Sequence, residues 1–448
     1  MLMYMQKSRS CLLAIVGVLA LASASQPVLA HNDDIKYWSL PGNAVFPEGI
    51  AIQASTDAFF VGSTTDGTLF SGNANSTNDP TVFLAGGGDG RTTAIGLKAS
   101  DTRLYVSGGS LGQVFVYDIA TKNLLAKFST GLTPSFVNDV ALALNGDAYF
   151  TDSLSPAIYR LSADLATFER FTDFAGTPVV YTPGFNLNGL AVTSDGAYLI
   201  TVQSNTGKLF RVSTATKEAI EINVNGAVLT GGDGILLLGR QLYVMRNSAA
   251  LLLTLRLSND FSTGKLNSVS GSPSFQFPTT FAKAGERFLV VNSQFDKQGS
   301  QPVLPFNVSG IAIPESSEGK RLQANLTGAT EINGGDPDGT GTANIQLKTT
   351  KSQVCFDIKV QDILLPAAAA HIHVGAAGTN GPVVVDFGAP PGAKGRTKGC
   401  VTAAASLINA IWSNPAGYYV NVHNSDFPGG ALRGQLMPKR ADNESSDD

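Results

Sequence analysis

Four oxygen-bearing residues stand out for the positions they occupy: Glu48, Asn138, Asn188 and Asp233. Each falls at the entry to a short apolar run, in Pro47-Glu48-Gly49-Ile50, Asn138-Asp139-Val140-Ala141, Asn188-Gly189-Leu190-Ala191 and Asp233-Gly234-Ile235. Two carboxylates and two side-chain amides, once gathered, make a hard-cation site. Ca2+ takes carboxylate, amide and water oxygens, and Glu48 and Asp233 would balance its charge. The set holds no nitrogen or sulfur ligand, which makes Zn2+ and Cu2+ poorer matches. A plainer reading has Asn, Asp and Gly forming turns and capping strands. Glu48 resists it, because glutamate is not a turn former.

A second set is nitrogenous. His371 and His373 stand two apart in His371-Ile372-His373-Val374, so on a strand they share a face. With His423 they make an H-x-H plus distant His pattern that can bind Zn2+ or Cu2+, and that would support a transition-metal or redox role. The alternative is hydrogen-bonded histidines that fix the fold. The fourth histidine is His31, and residues 32–316 contain none. A histidine base or a Ser-His-Asp triad is thereby excluded from that stretch. Proton transfer there would fall to a carboxylate, Asp233 or Asp139, with Asp233 the expected catalytic residue.

These residues can meet only if the chain repeats. From about residue 45 to 300 a short apolar strand, a turn, a second strand ending in small polar residues and a third strand recur. The anchors Glu48, Ile95, Asp139, Gly189, Gly234 and Thr280 are spaced 47, 44, 50, 45 and 46 residues apart. Such a period with about four strands per unit predicts a β-propeller of six blades. First strands line its channel, so residues at their entries converge at one end. The abundant Gly, the low charge and the scarcity of 3.6-period segments agree with an all-β fold class.

The remainder sets the context. Lys7 and Arg9 precede an apolar run from Cys11 to Ala22, and Val28-Leu29-Ala30 is a small-residue cleavage site before His31. Residues 1–30 therefore read as a secretory signal peptide, the competing reading being an uncleaved anchor. The expected location is secreted and extracellular, or periplasmic in a bacterium, with no membrane contact after cleavage. Loss of two cations takes the net charge from −4 to −6. With no basic patch, nucleic acid is not an expected partner. Cys355 and Cys400 are the only cysteines left, and an exported pair is expected to form one disulfide. The acidic tail, residues 439–448, is expected to be disordered. The expected organisation is a signal peptide at 1–30, a propeller at 31–316, a second β domain at 317–438 and the tail, with a polar, Pro-containing link near 302–320.

The four motifs, in order at blade spacing, resemble the regucalcin/gluconolactonase propellers over roughly residues 45–300. That resemblance implies a divalent metal held by Glu48, Asn138, Asn188 and Asp233, with Asp233 as general base in lactone hydrolysis. Two departures bear on substrate. Phe136 stands where the lactonase branch carries a substrate-binding Arg, and Leu236-Leu237-Leu238-Gly239 lacks a second acid. The metal site is thus retained and the sugar-lactone pocket is not. Beyond residue 320, His371-Ile372-His373-Val374-Gly375, Gly378-Thr379-Asn380-Gly381-Pro382-Val383, Tyr419-Val420-Asn421-Val422-His423 and Phe427-Pro428-Gly429-Gly430-Ala431-Leu432-Arg433-Gly434-Gln435 resemble the CHRD domain. This implies a smaller β-sandwich-type extracellular module.

The combined expectation is a metal-dependent hydrolase of a small-molecule lactone or ester, with the C-terminal module accessory and able to engage an extracellular protein or matrix partner. The alternative is a non-catalytic, metal-stabilised propeller that binds a ligand or protein.

Overall fold

The structure is a computed structural model that describes residues 28–29, 35–314, 320–348 and 351–439. Most of the expected signal peptide and the acidic tail lie outside the described residues. Val28–Leu29 forms a two-residue strand parallel to Ser270–Gly271.

Six antiparallel sheets make the propeller. Their innermost strands are Pro47–Gln53, Leu97–Ala99, Val137–Leu142, Leu187–Val192, Gly232–Leu238 and Pro278–Ala284. We number the blades 1 to 6 in that order. Blades 1 to 4 run outward in sequence order, and blade 5 does so with Val28–Leu29 added at its outer edge. Blade 6 differs, because its outermost strand is the N-terminal Lys36–Ser39, paired antiparallel with Asn307–Ala312. The stretch near 302–320, expected as a link, therefore contains a full blade strand. Pro302, Pro305 and Pro314 punctuate it and obscure its apolar pattern.

Successive residues on a strand face opposite sides of its sheet, and neighbouring blades cover both sides. Second strands are therefore apolar at consecutive positions, as in Phe59-Phe60-Val61 and Phe288-Leu289-Val290, all buried. Burying each such Phe contributes about 1.5–3 kcal/mol. The blades pack through separate apolar clusters, for example Ala141, Leu187, Leu190, Phe210 and Val212 between blades 3 and 4.

Five of the six first strands carry a β-bulge at their entry. Register shifts fall between Pro47 and Ile50, Val137 and Val140, Leu187 and Leu190, Gly232 and Ile235, and Pro278 and Phe281. In four of them the first bulged residue is Glu48, Asn138, Asn188 or Asp233. A bulge re-aims side chains, and here it recurs where polar groups must leave the apolar inter-blade layers for the channel.

From Lys320 onward the chain forms one nine-stranded antiparallel sheet. It curls into a nearly closed barrel or sandwich around its own core, which includes Leu322, Ile345, Ile358, Ile372, Val420 and Leu432. Among the described residues there is one α-helix, Ala405–Ser413. Cys355 and Cys400 sit opposite each other on adjacent strands, and a disulfide joins them. Among the described residues no helix is long and apolar enough to cross a membrane.

Candidate functional site

The channel entry gathers Glu48, Asn138, Asn188 and Asp233, all buried. Close approach of the first strands makes this convergence tight. A Cβ on Gly49 would lie 2.0 Å from the Ile95 carbonyl oxygen, and one on Gly189 would lie 2.2 Å from that of Asp233. Hydrogen bonds tie neighbouring blades at the same level. The Gly96 N–H donates to the Asn138 carbonyl at 2.9 Å, the Thr151 hydroxyl to that of Asn188 at 2.7 Å, and the Thr279 hydroxyl to that of Glu48 at 2.9 Å.

Second-strand ends orient the cluster. Asn138 Nδ2 donates to Ser153 Oγ at 2.9 Å, and Asn188 Nδ2 to Ser204 Oγ at 3.1 Å. Each serine in turn donates to a backbone carbonyl of the next blade, Leu187 and Gly232 respectively. Asn247 Nδ2 donates to Asp233 Oδ2 at 2.9 Å. With their nitrogens engaged, the amides turn their oxygens inward. Four buried oxygens then have no hydrogen-bond partner: Glu48 Oε2, Asn138 Oδ1, Asn188 Oδ1 and Asp233 Oδ1. An unpaired buried polar atom is costly, and four convergent acceptors without a donor are the arrangement a cation satisfies.

The electrostatics agree. Burial holds the Glu48 carboxyl well above its usual range, and the Asp233 and Asp139 charges push it further. Burial raises Asp233 to about 7, against the hydrogen bond from Asn247. Asp139 differs in its contacts. Its two oxygens accept the Val140 and Leu190 N–H groups, each at 2.8 Å. It pins blade 3 to blade 4, whereas Glu48 and Asp233 each keep an oxygen without a partner.

Phe136 packs edge-on against Phe185 with ring centroids 4.9 Å apart. Leu132, Leu154, Val180, Phe185, Val228 and Leu304 are exposed on loops at this same end of the propeller. An open cleft of about 550 Å3 lies at the opposite end. Among its charges, Arg160 pairs with Asp147 at 2.8 Å and with Glu169 at 3.0 Å.

The three C-terminal histidines also come together, with their ligand atoms within 4.8 Å of one another. His371 and His373 lie on the strand Ala369–Val374, and His423 ends the neighbouring strand Tyr418–His423. His373 stacks on Tyr419 with centroids 4.9 Å apart, and the Arg433 guanidinium covers that ring at 3.4 Å. Arg433 also donates to Asn380 Oδ1 and to the carbonyls of Ala376 and Thr379, which fixes the loop ahead of Gly381. Burial lowers the pKa of His373 and of His423.

This geometry accounts for motif residues scattered over sixty positions. Residues 322–436 match the family model of the CHRD domain. No curated protein matches this chain in sequence. Among solved structures, the Malassezia sympodialis allergen Mala s 1 shares 15% identity over 62% of this chain and 96% of its own, with a TM-score of 0.50. A calcium-binding protein, regucalcin, from Agrobacterium tumefaciens shares 16% over 61% and 94%, with a TM-score of 0.46. A catalytically inactive virginiamycin B lyase from Staphylococcus aureus shares 11% over 62% and 99%, with a TM-score of 0.43. At these identities the likeness is one of fold, and it lies with propellers. The CHRD domain follows the propeller as a separate sheet.

The structure places the expected Glu48, Asn138, Asn188 and Asp233 buried at the channel entry and brings His371, His373 and His423 together. Sequence reasoning missed the orienting residues Ser153, Ser204 and Asn247. The signal for them was the small polar ending of each second strand.

Proposed function

We propose that the propeller is a Ca2+-dependent hydrolase that opens an apolar ester or lactone at the mouth of its channel. The observation that carries the reading is the set of four buried, unpaired oxygens on Glu48, Asn138, Asn188 and Asp233. Oxygen-only donors with two carboxylates suit Ca2+. The bound ion would polarise the substrate carbonyl and acidify a water. Asp233 Oδ1 takes a proton from water as the water oxygen bonds to the carbonyl carbon. The carbon–oxygen ester bond then breaks, and the proton passes from Asp233 to the departing alkoxide, which leaves an acid and an alcohol or one hydroxy acid. Asn247 keeps Asp233 oriented through Oδ2. The exposed aliphatic rim and Phe136 favour an apolar substrate over a sugar. An exported location belongs to this reading, supported by the Cys355–Cys400 disulfide.

The test is a panel of aliphatic and aromatic esters and lactones, assayed on chelator-stripped and Ca2+-restored protein. Ca2+-dependent turnover that Asp233→Asn abolishes is expected. A metal-loaded protein that cleaves nothing would overturn the hydrolase reading. One observation favours the second reading, a metal-stabilised propeller that binds a ligand or protein: the Phe136–Phe185 pair presents an aromatic surface at the mouth. Binding of Ca2+ without turnover selects it.

A further inference from the structure

We propose that the CHRD domain carries a second, separate metal centre: a three-imidazole site for a late first-row transition metal, Cu2+ or Zn2+, with one coordination position left open. The deciding feature is the pairing of each ring. His373 Nδ1 faces the Gly381 carbonyl at 2.9 Å and His423 Nδ1 faces that of Pro428 at 3.1 Å. His371 Nε2 faces Asp386 Oδ1 at 3.8 Å. A neutral imidazole carries one N–H, so an oxygen opposite one nitrogen places the proton there and leaves a lone pair on the other. The other three nitrogens are His371 Nδ1, His373 Nε2 and His423 Nε2, and all are buried without a hydrogen-bond partner.

Three lone pairs thus converge with no donor among them. Histidines that merely held the sheet together would have both nitrogens satisfied. A metal reverses the account, since ligating histidines regularly give their second nitrogen to a carbonyl or carboxylate, as His373 and His423 do here, with the Asp386 carboxylate 3.8 Å from the second nitrogen of His371. Nitrogen-only donors exclude Ca2+ and suit Cu2+ and Zn2+. Metal–nitrogen bonds of about 2.0–2.1 Å in tetrahedral geometry need nitrogens about 3.3 Å apart. From a spread within 4.8 Å, small ring rotations reach that value. Three protein ligands leave a fourth position, and His371 and His423 are only partly buried, so the site lies close to the domain surface.

The surrounding motif acquires a purpose. Arg433 clamps the Ala376–Asn380 loop that presents the Gly381 carbonyl, and it sandwiches Tyr419 against His373. Gln435 Nε2 holds the carbonyls of Gly375 and Tyr418, each at 2.8 Å. These are positioning residues, which fix ring directions rather than bind metal.

The test uses the full-length protein, stripped by chelator and then saturated with Ca2+ to fill the oxygen site. Zn2+ and Cu2+ are titrated separately against a chromogenic chelator, and the Cu2+ form is examined by electron paramagnetic resonance. One equivalent of each metal is expected, with hyperfine splitting from three nitrogens. His371→Ala, His373→Ala and His423→Ala should each weaken binding at least about 100-fold, and Asp386→Asn about tenfold. Asp386 is exposed, so its variant folds even where a histidine variant does not. Stoichiometric binding that survives the triple histidine variant would place the metal elsewhere, for example on His31, and overturn the proposal. So would fewer than two coordinated nitrogens, or no binding above that of Ca2+.

Discussion

Asn138 gives its amide nitrogen to the Ser153 hydroxyl at 2.9 Å, and that single bond decides which way the amide faces. The oxygen is left pointing into the channel with no partner. Ser153→Ala should therefore free the amide to flip. The expected result is Ca2+ binding weakened about tenfold with a stability loss of about 1 kcal/mol. Calorimetric titration beside a denaturant melt separates the two effects.

Glu48→Gln keeps the shape of the site and removes one of its charges. In metal-free protein it should raise the melting temperature, because it relieves a buried carboxylate that faces Asp233 and Asp139. In the same protein Ca2+ affinity should fall about tenfold or more, as the ligand charge drops. Stabilisation of the apo form joined to loss of affinity is the signature sought by paired thermal scans. Asp233→Asn should share it.

The metal-free protein should lose stability as pH rises through neutrality. Burial raises Asp233 to about 7 and holds Glu48 above its usual range. Between the unfolded carboxyl value near 4 and about 7, the folded state binds more protons than the unfolded one, so stability falls across that window. Thermal scans of chelated protein should show a drop of several degrees from about pH 5 to about pH 8. Saturating Ca2+ should flatten it. A metal-free melting temperature that rises over this range would contradict the site's electrostatics.

The Cys355–Cys400 bridge closes a loop with a sequence separation of 45. Chain-entropy reasoning gives it about 4 kcal/mol through the unfolded state. Replacing both cysteines with Ala should lower the CHRD domain's transition in differential scanning calorimetry. The propeller transition should stay in place, since both strands belong to the C-terminal sheet.

Much of this was legible because propellers repeat. The six anchors could be read by subtraction, and the four unpaired channel oxygens belong to polar residues that stand out at the entries of apolar strands. What stayed hidden had physical reasons. Asn307–Ala312 lies among prolines and reads as linker. Arg396–Thr402 has no buried residue and so carries no apolar signal. Ser153 and Ser204 look like ordinary strand ends. The Gly381 and Pro428 carbonyls that orient the histidines are backbone atoms, on which side-chain identity is silent.

The strand Lys36–Ser39 completes blade 6 by pairing with Asn307–Gly310. The ring is thus latched by two segments from opposite ends of its chain. While the protein is being synthesised or exported, blade 6 presents an open edge until residue 310 has emerged, and the N-terminal strand must wait unpaired through five completed blades. Closure of so long a loop comes late and slowly. An exposed edge in the interval invites pairing with another chain. Deleting residues 36–39 should therefore cost more than four residues' worth of contacts: it should leave blade 6 with an unpaired outer edge through which molecules associate, visible as oligomers before any blade has melted.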